Sequence, residues 1–269
     1  MEQYKSRWGK CPQTVEEHVN MIMGRYAETK DVFQCFTPKI GIFPYEMCLK
    51  NILKSKDWNQ LNNFIYQENC VRSFASLMNG DSHYWAFLEM LESLAVGNIR
   101  AFELLLPDKM EAVTNIFPLY RPATNMLIGL WRNDSGVLEY AVPRAKKFAG
   151  GKRPQWERST AACLLALYEK NPKEAGIHLE MICKTAMRAD FDSAYKMLFV
   201  PAHGLYQLAA YLWDAELFQQ LPMPDHKSFS KEYAIWRNTD YVPPTLFAEY
   251  PEPAINTALT NPGPKSRRL

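Results

Sequence analysis

The chain has 269 residues, 47% of them apolar and 22% charged, with a formal net charge of +2. This composition excludes a disordered chain and supplies enough apolar mass for a sizeable core. The final stretch NPGPKSRRL carries Lys265, Arg267 and Arg268 with no acid, so the remainder is near neutral and has no global field to steer it toward nucleic acid or an acidic membrane.

Helical periodicity dominates from the first residues that can be placed. Thr14 is positioned to cap a helix carrying Val15, Val19, Ile22, Met23 and Tyr26 on one face. Asp57 caps a second, with Leu61, Phe64, Ile65, Cys70, Phe74 and Leu77. Asp81 or Ser82 opens a third, through Tyr84, Leu88, Leu91 and Ala95, which Gly97-Asn98 ends. A short helix through Ala101, Phe102 and Leu105 runs up to Pro107. Pro118 and Pro122 bracket a turn before the apolar run Met126 to Trp131, and Asn133-Asp134-Ser135-Gly136 breaks the chain again. Val142-Pro143 reads as the start of a helical turn. Alternating β patterns are rare, and the one Asn-Gly pair, Asn79-Gly80, lies between helical stretches.

The segment LLALYEKNPKEAGIHLEMI (164–182) is a helical hairpin in sequence form. An apolar helix stops at Asn171, and Pro172 starts the next where its missing N–H costs nothing. LESLAVGNIRAFELLL (91–106) overlays on it when Ala101 is placed on Ala175. LYQLAAYLW and AELFQQL, joined at Asp214, make a further pair. The expected fold is all-α: an irregular, α-solenoid-like stack of antiparallel helical hairpins, forming a single helical domain over 1–240. Residues 241–269 are expected as an extended proline-rich segment, anchored by Val242, Leu246, Phe247 and Tyr250, with about the last ten residues mobile.

Catalytic signatures do not emerge. The five histidines (His18, His83, His178, His203 and His226) are scattered, HExxH and Gly-rich phosphate loops are missing, and no GxSxG elbow occurs. No metal ligands and no cofactor are expected, and the chain reads as a non-enzyme. Cys48, Cys70, Cys163 and Cys183 lie among apolar residues as reduced, buried thiols, whereas Cys11 and Cys35 show no framework spacing. There is no secretory leader pattern and no uncharged apolar run of about 18 residues, so a cytoplasmic location is expected.

Two clusters are candidates for partner contact. In PRAKKFAGGKRPQWER, Arg144, Lys146, Lys147, Lys152 and Arg153 surround a Gly150-Gly151 hinge beside Trp156. That pattern suits a phosphate or single-stranded nucleic acid, an acidic protein partner, or simply a solvated helix end. In KEYAIWRNTDYVPP, Tyr233, Trp236, Arg237 and Tyr241 have the composition of a binding hot spot or of aromatic pins for the C-terminal segment.

The region from RSTAACLLALYEKNPKEAGIHLEMICK to FVPAHGLYQLAAYLWDAELFQQLPMPD resembles immunity protein family 49 of bacterial polymorphic toxin systems. The shared pattern is an Ala/Leu-rich helix ending in a short Asp/Asn turn, an alanine-bearing helix after it, and a later Pro-Ala-hydrophobic helix. It covers about a third of the chain, and the C-terminal segment departs from it. The resemblance implies a protein that binds a cognate toxin domain and blocks it sterically, without chemistry of its own. The alternatives are a helical-repeat adaptor for protein–protein interaction and a nucleic-acid binder acting through residues 144–153.

Overall fold

Short polar residues set where the helices begin. In the computed structural model, which describes residues 14–36, 45–79, 83–111, 115–191 and 193–261, the chain is all-helical and no strand occurs among the described residues. The helices are α1 (Val15–Thr29), α2 (Val32–Cys35), α3 (Tyr45–Ser55), α4 (Trp58–Asn79), α5 (Phe87–Val96), α6 (Ile99–Leu105), α7 (Tyr120–Arg132) and α8 (Ser135–Ala149). They continue with α9 (Gln155–Tyr168), α10 (Pro172–Ala186), α11 (Ser193–Met197), α12 (Val200–Leu212), α13 (Ala215–Gln219), α14 (Lys231–Thr239) and α15 (Pro253–Thr260). No described helix is long and apolar enough to cross a membrane. Thr14 caps α1 as expected, accepting the Glu17 N–H, and Asp57 accepts the Gln60 N–H at the head of α4. Asp81 and Ser82 lie outside the described residues, as do Cys11 and residues 262–269.

One kind of joint recurs. A residue in the left-handed conformation ends a helix, and an Asn or Asp immediately after it caps the next. The pairs are Lys30-Asp31, Lys56-Asp57, Gly97-Asn98, Asn133-Asp134 and Lys170-Asn171. The caps are explicit: Asn98 accepts from Ala101 N–H, Asp134 from Val137 N–H and Asn171 from Glu174 N–H, at 3.2, 3.0 and 3.1 Å. On the other side of the joint, Asn98, Asp134 and Asn171 donate their own N–H to Ser93, Gly129 and Ala166 carbonyls at 2.8, 3.0 and 2.9 Å. Orphan groups of both helices are thus satisfied within two residues. The overlay of Ala101 on Ala175 matches two buried faces, but the caps Asn98 and Asn171 sit one position out of that register.

The prolines behave differently from expectation. Pro122 lies in the first turn of α7, where a missing N–H is tolerated, so the turn expected there is already helix. Pro143 sits in the middle of α8 rather than at a helical start. It is exposed, so the carbonyl it leaves without a partner faces water. At the C-terminus, residues 253–260 form α15 where extended chain was expected, because Glu252 caps it and Pro253 occupies the first helical position.

The chain divides into two compact units, one of residues 1–81 with 242–269 and one of residues 82–241, in place of the single 1–240 domain read from the sequence. In the first, Gln67 on α4 exchanges a reciprocal pair of hydrogen bonds with the Ala248 backbone, at 2.9 and 2.7 Å. Asn63, one turn earlier, accepts Thr245 N–H at 3.0 Å. Amide side chains at i and i+4 thereby hold the extended segment to the helix. Ile22, Cys35, Phe74, Tyr250, Ile255 and Leu259 close the core around it.

In the second unit, α9 packs on α10, α7 on α8, and α12 on α5. The α5–α12 contact joins helices far apart in sequence and exceeds the neighbour-only packing that defines a solenoid. It is very close: a Cβ on Gly204 of α12 would lie 1.9 Å from the Leu91 carbonyl oxygen of α5. None of the described cysteines Cys35, Cys48, Cys70, Cys163 and Cys183 forms a disulfide, and Cys48 is only partly buried where a buried thiol was expected. Gly204→Ala is expected to destabilise the second unit by about 3 kcal/mol, because backbone rather than a mobile side chain opposes the methyl group. Gly24→Ala, whose Cβ meets nothing within 4 Å, should instead stabilise α1 by about 0.5–1 kcal/mol. Urea denaturation of both variants measures the contrast.

Candidate functional site

The basic turn follows from how α8 ends. Lys146 and Lys147 occupy its last turn, where cations oppose the negative end of the helix dipole. Lys146 also pairs with Glu169 at 3.0 Å, both side chains remaining about half exposed. Arg144, Lys147, Lys152 and Arg153 face solvent, and no described carboxylate forms an ion pair with any of these four. Trp156 is separated from them. It is buried, stacked on Phe117 with ring centroids 5.9 Å apart and edge-on to Phe191 at 5.0 Å. The pairing of aromatic and basic residues expected there is therefore broken, because the α9 N-terminus turns Trp156 into the core. Beside it, burial pushes the Glu157 carboxyl up, and the nearby Arg153 charge partly opposes the shift.

A groove of about 430 Å³ opens along the α7–α8 hairpin. Arg121 and Asn125 line it from α7 and Tyr140, Arg144 and Phe148 from α8, with Pro118 and Pro122 completing the wall; none of these is acidic. Gly129 sets the spacing of the pair, since Leu138 lies where its Cβ would be, at 2.7 Å. Arg144 is held in place by its own helix: its guanidinium lies 3.4 Å over the Tyr140 ring, and Nη1 donates to the Tyr140 carbonyl at 2.9 Å.

The orientation of Asn125 follows from its neighbours. The Tyr84 hydroxyl accepts Glu111 N–H at 3.1 Å and gives its own proton to Asn125 Oδ1 at 2.5 Å. That bond engages one lone pair of Oδ1 and fixes the orientation of the Asn125 amide where it lines the groove. Burial raises the Tyr84 phenol pKa, keeping it a neutral donor, while the Arg121 charge pulls slightly the other way. Sequence reasoning found Arg144 but missed Arg121, Asn125, Tyr140 and Tyr84. The only local signals were Arg121/Asn125 and Tyr140/Arg144 at i, i+4 spacing.

The second candidate cluster is mainly internal. Tyr233 and Arg237 of α14 are buried, and Trp236 and Tyr241 partly so. Arg237 Nε donates to the Ala95 carbonyl at 3.1 Å, at the C-terminus of α5, and its guanidinium lies 3.7 Å over the Tyr241 ring. Gly97 has φ +78°, and a Cβ there would meet Tyr241 and Arg237 at 2.4 and 2.5 Å. The cation thus serves the α5 helix end, and Trp236 stacks on Tyr233 with centroids 6.0 Å apart. Of the four residues only the partly exposed edges of Trp236 and Tyr241 remain available to a partner.

His203 is also internal, stacked on Phe229 at 4.0 Å with its Nε2 accepting Ser230 N–H at 3.2 Å. That bond requires the neutral ring, and burial lowers its pKa to about 3. His18, buried in the first unit, is lowered by burial to about 4. His178 is half-buried beside Glu174 at 3.9 Å. The described residues include no group of three or more His, Cys, Asp or Glu side chains placed to hold a metal ion.

Arg237→Ala should lower stability by about 2–3 kcal/mol, because a buried charged donor is lost and the Ala95 carbonyl keeps only the longer bond from the Tyr233 hydroxyl, at 3.5 Å; chemical denaturation reads the loss. The buried histidines give a pH dependence. Their folded pKa values lie below the unfolded value near 6.5, so their contribution is complete above pH 6.5 and lost as pH falls toward 4. Between those limits stability should fall by about 1.4 kcal/mol per pH unit for each histidine. A flat urea-denaturation profile from pH 8 to 4 would contradict the neutral, buried assignment. Comparison of the chain with protein families, with characterised proteins and with solved structures finds no match.

Proposed function

We propose that this protein is an immunity-type binding protein, cytoplasmic in location, that docks on a cognate toxin domain and neutralises it by steric occlusion rather than by chemistry. One observation carries the reading: a solvent-facing basic turn continues into an Arg-lined groove on a helical hairpin, without an acid in its wall. Rigid, prepositioned donors lose little entropy when a partner docks, and exposed cations at the rim raise the association rate with an acidic surface. The resemblance of the α9–α10 and α12–α13 regions to the immunity family supplies the kind of partner.

A nucleic-acid reading is favoured by the exposed cations Arg144, Lys147, Lys152 and Arg153, but it loses its stacking platform because Trp156 is buried. An adaptor would use the same surface on a non-toxic partner, and it separates from the immunity reading by what is bound.

Co-expression with the toxin domain encoded by the adjacent gene tests the proposal. The expected result is restored growth and a complex that co-purifies at equal stoichiometry, burying about 1,600 Å² if it is of standard size. Continued toxicity with no complex would overturn it.

A further inference from the structure

The α7–α8 groove has the chemistry of an oxyanion receptor, and its surroundings say which oxyanion. Arg121 on α7 and Arg144 on α8 both line this one groove, and Asn125 adds an amide fixed in orientation by Tyr84. Guanidinium forks match the two oxygens of a carboxylate, and prepositioned donors give up little rotamer freedom on binding. The remaining walls, Pro118, Pro122 and Phe148, are apolar and suit the stem of a side chain or an apolar neighbour of it. Stacking of a nucleobase has less to use, since the Arg144 guanidinium already lies over Tyr140 and leaves Phe148 as the other aromatic ring of the wall. The body of the chain is also near neutral, unlike a phosphate-tracking protein.

We propose that this groove is a carboxylate socket that receives an Asp or Glu side chain, flanked by apolar residues, from an acidic loop of the protein partner. The inference rests on the partner-binding reading above for the source of the loop, while the socket chemistry rests on the groove alone. Arg144 and Arg121 hold the carboxylate, Asn125 bonds it from the floor, and the basic turn at Lys147, Lys152 and Arg153 attracts the flanking acids. Complex formation should accordingly weaken with salt more than an apolar interface would.

The test uses the full chain and two synthetic probes, acetyl-Glu-Phe-Glu-Phe-Glu-amide and the same peptide with glutamine at every glutamate, followed by calorimetry and by NMR of the arginine Nε–H signals. The acidic peptide should bind and shift the Arg121 and Arg144 signals, while the glutamine peptide should not. Arg144→Gln and Arg121→Gln should each weaken binding about tenfold or more. Lys173→Gln, exposed on α10 and not among the residues lining the groove, should leave it unchanged. Equal binding of both peptides, an equal loss in Lys173→Gln, or tighter binding of a single-stranded oligonucleotide would each overturn the socket. The two proposals separate cleanly. Peptide binding in the groove without any toxin complex retains the socket and removes the immunity reading. A toxin complex whose Kd is unmoved by Arg144→Gln and Arg121→Gln retains that reading and removes the socket.

Discussion

Much of the structure depends on a two-residue joint: a left-handed residue that stops one helix, followed by an Asn or Asp that starts the next. The first satisfies the late carbonyls of the outgoing helix and the second the early N–H groups of the incoming one. Because the joint is short and its hydrogen bonds run in both directions, successive helices fold back as hairpins. The α7–α8 groove is one product of this geometry, since Asn133-Asp134 reverses the chain and Gly129 lets Leu138 close in.

Contacts across the hairpins then shape the second unit. Gly204 brings α12 against the α5 backbone, and His203 beside it stacks on Phe229 as a neutral ring. Arg237 reaches from α14 to the end of α5, which is why Gly97 has no room for a side chain. Polar residues that look functional in isolation are here committed to helix ends and interior stacking. Of the two candidate clusters, the cationic end of α8 and the groove along α7 and α8 stay open to solvent, whereas the α14 cluster leaves only the partly exposed edges of Trp236 and Tyr241.

The legibility of these features differed by kind. Thr14 and Asp57 could be read as caps because a side-chain oxygen near a helix start acts within three residues, whereas Asn171 and Asp214, read as a helix stop and a turn, also cap the helices that follow them. Lys30, Lys56 and Lys170 could not be read as left-handed, since lysine carries no local signal for that conformation and is held there by its helix end. Pro143 suggested a boundary because the rule is statistical, and in α8 an exposed position made it tolerable. Trp156 and the arginines near it are neighbours in sequence, but a change of helix sends one inward and leaves the others in water.

By itself, the sequence determined the all-helical class, the starts of α1, α4, α6, α10 and α13, and the absence of disulfides among the described thiols. All of these rest on periodicity, capping and composition acting over a few residues. Only the tertiary structure decided that the chain groups into two units and that Arg237 belongs to α5. It also brought Arg121, Asn125 and Arg144 together, with Tyr84 orienting the amide. Those outcomes depend on which helix faces meet across tens of residues. That choice is made by packing and close backbone approach, for which a linear pattern carries no distance.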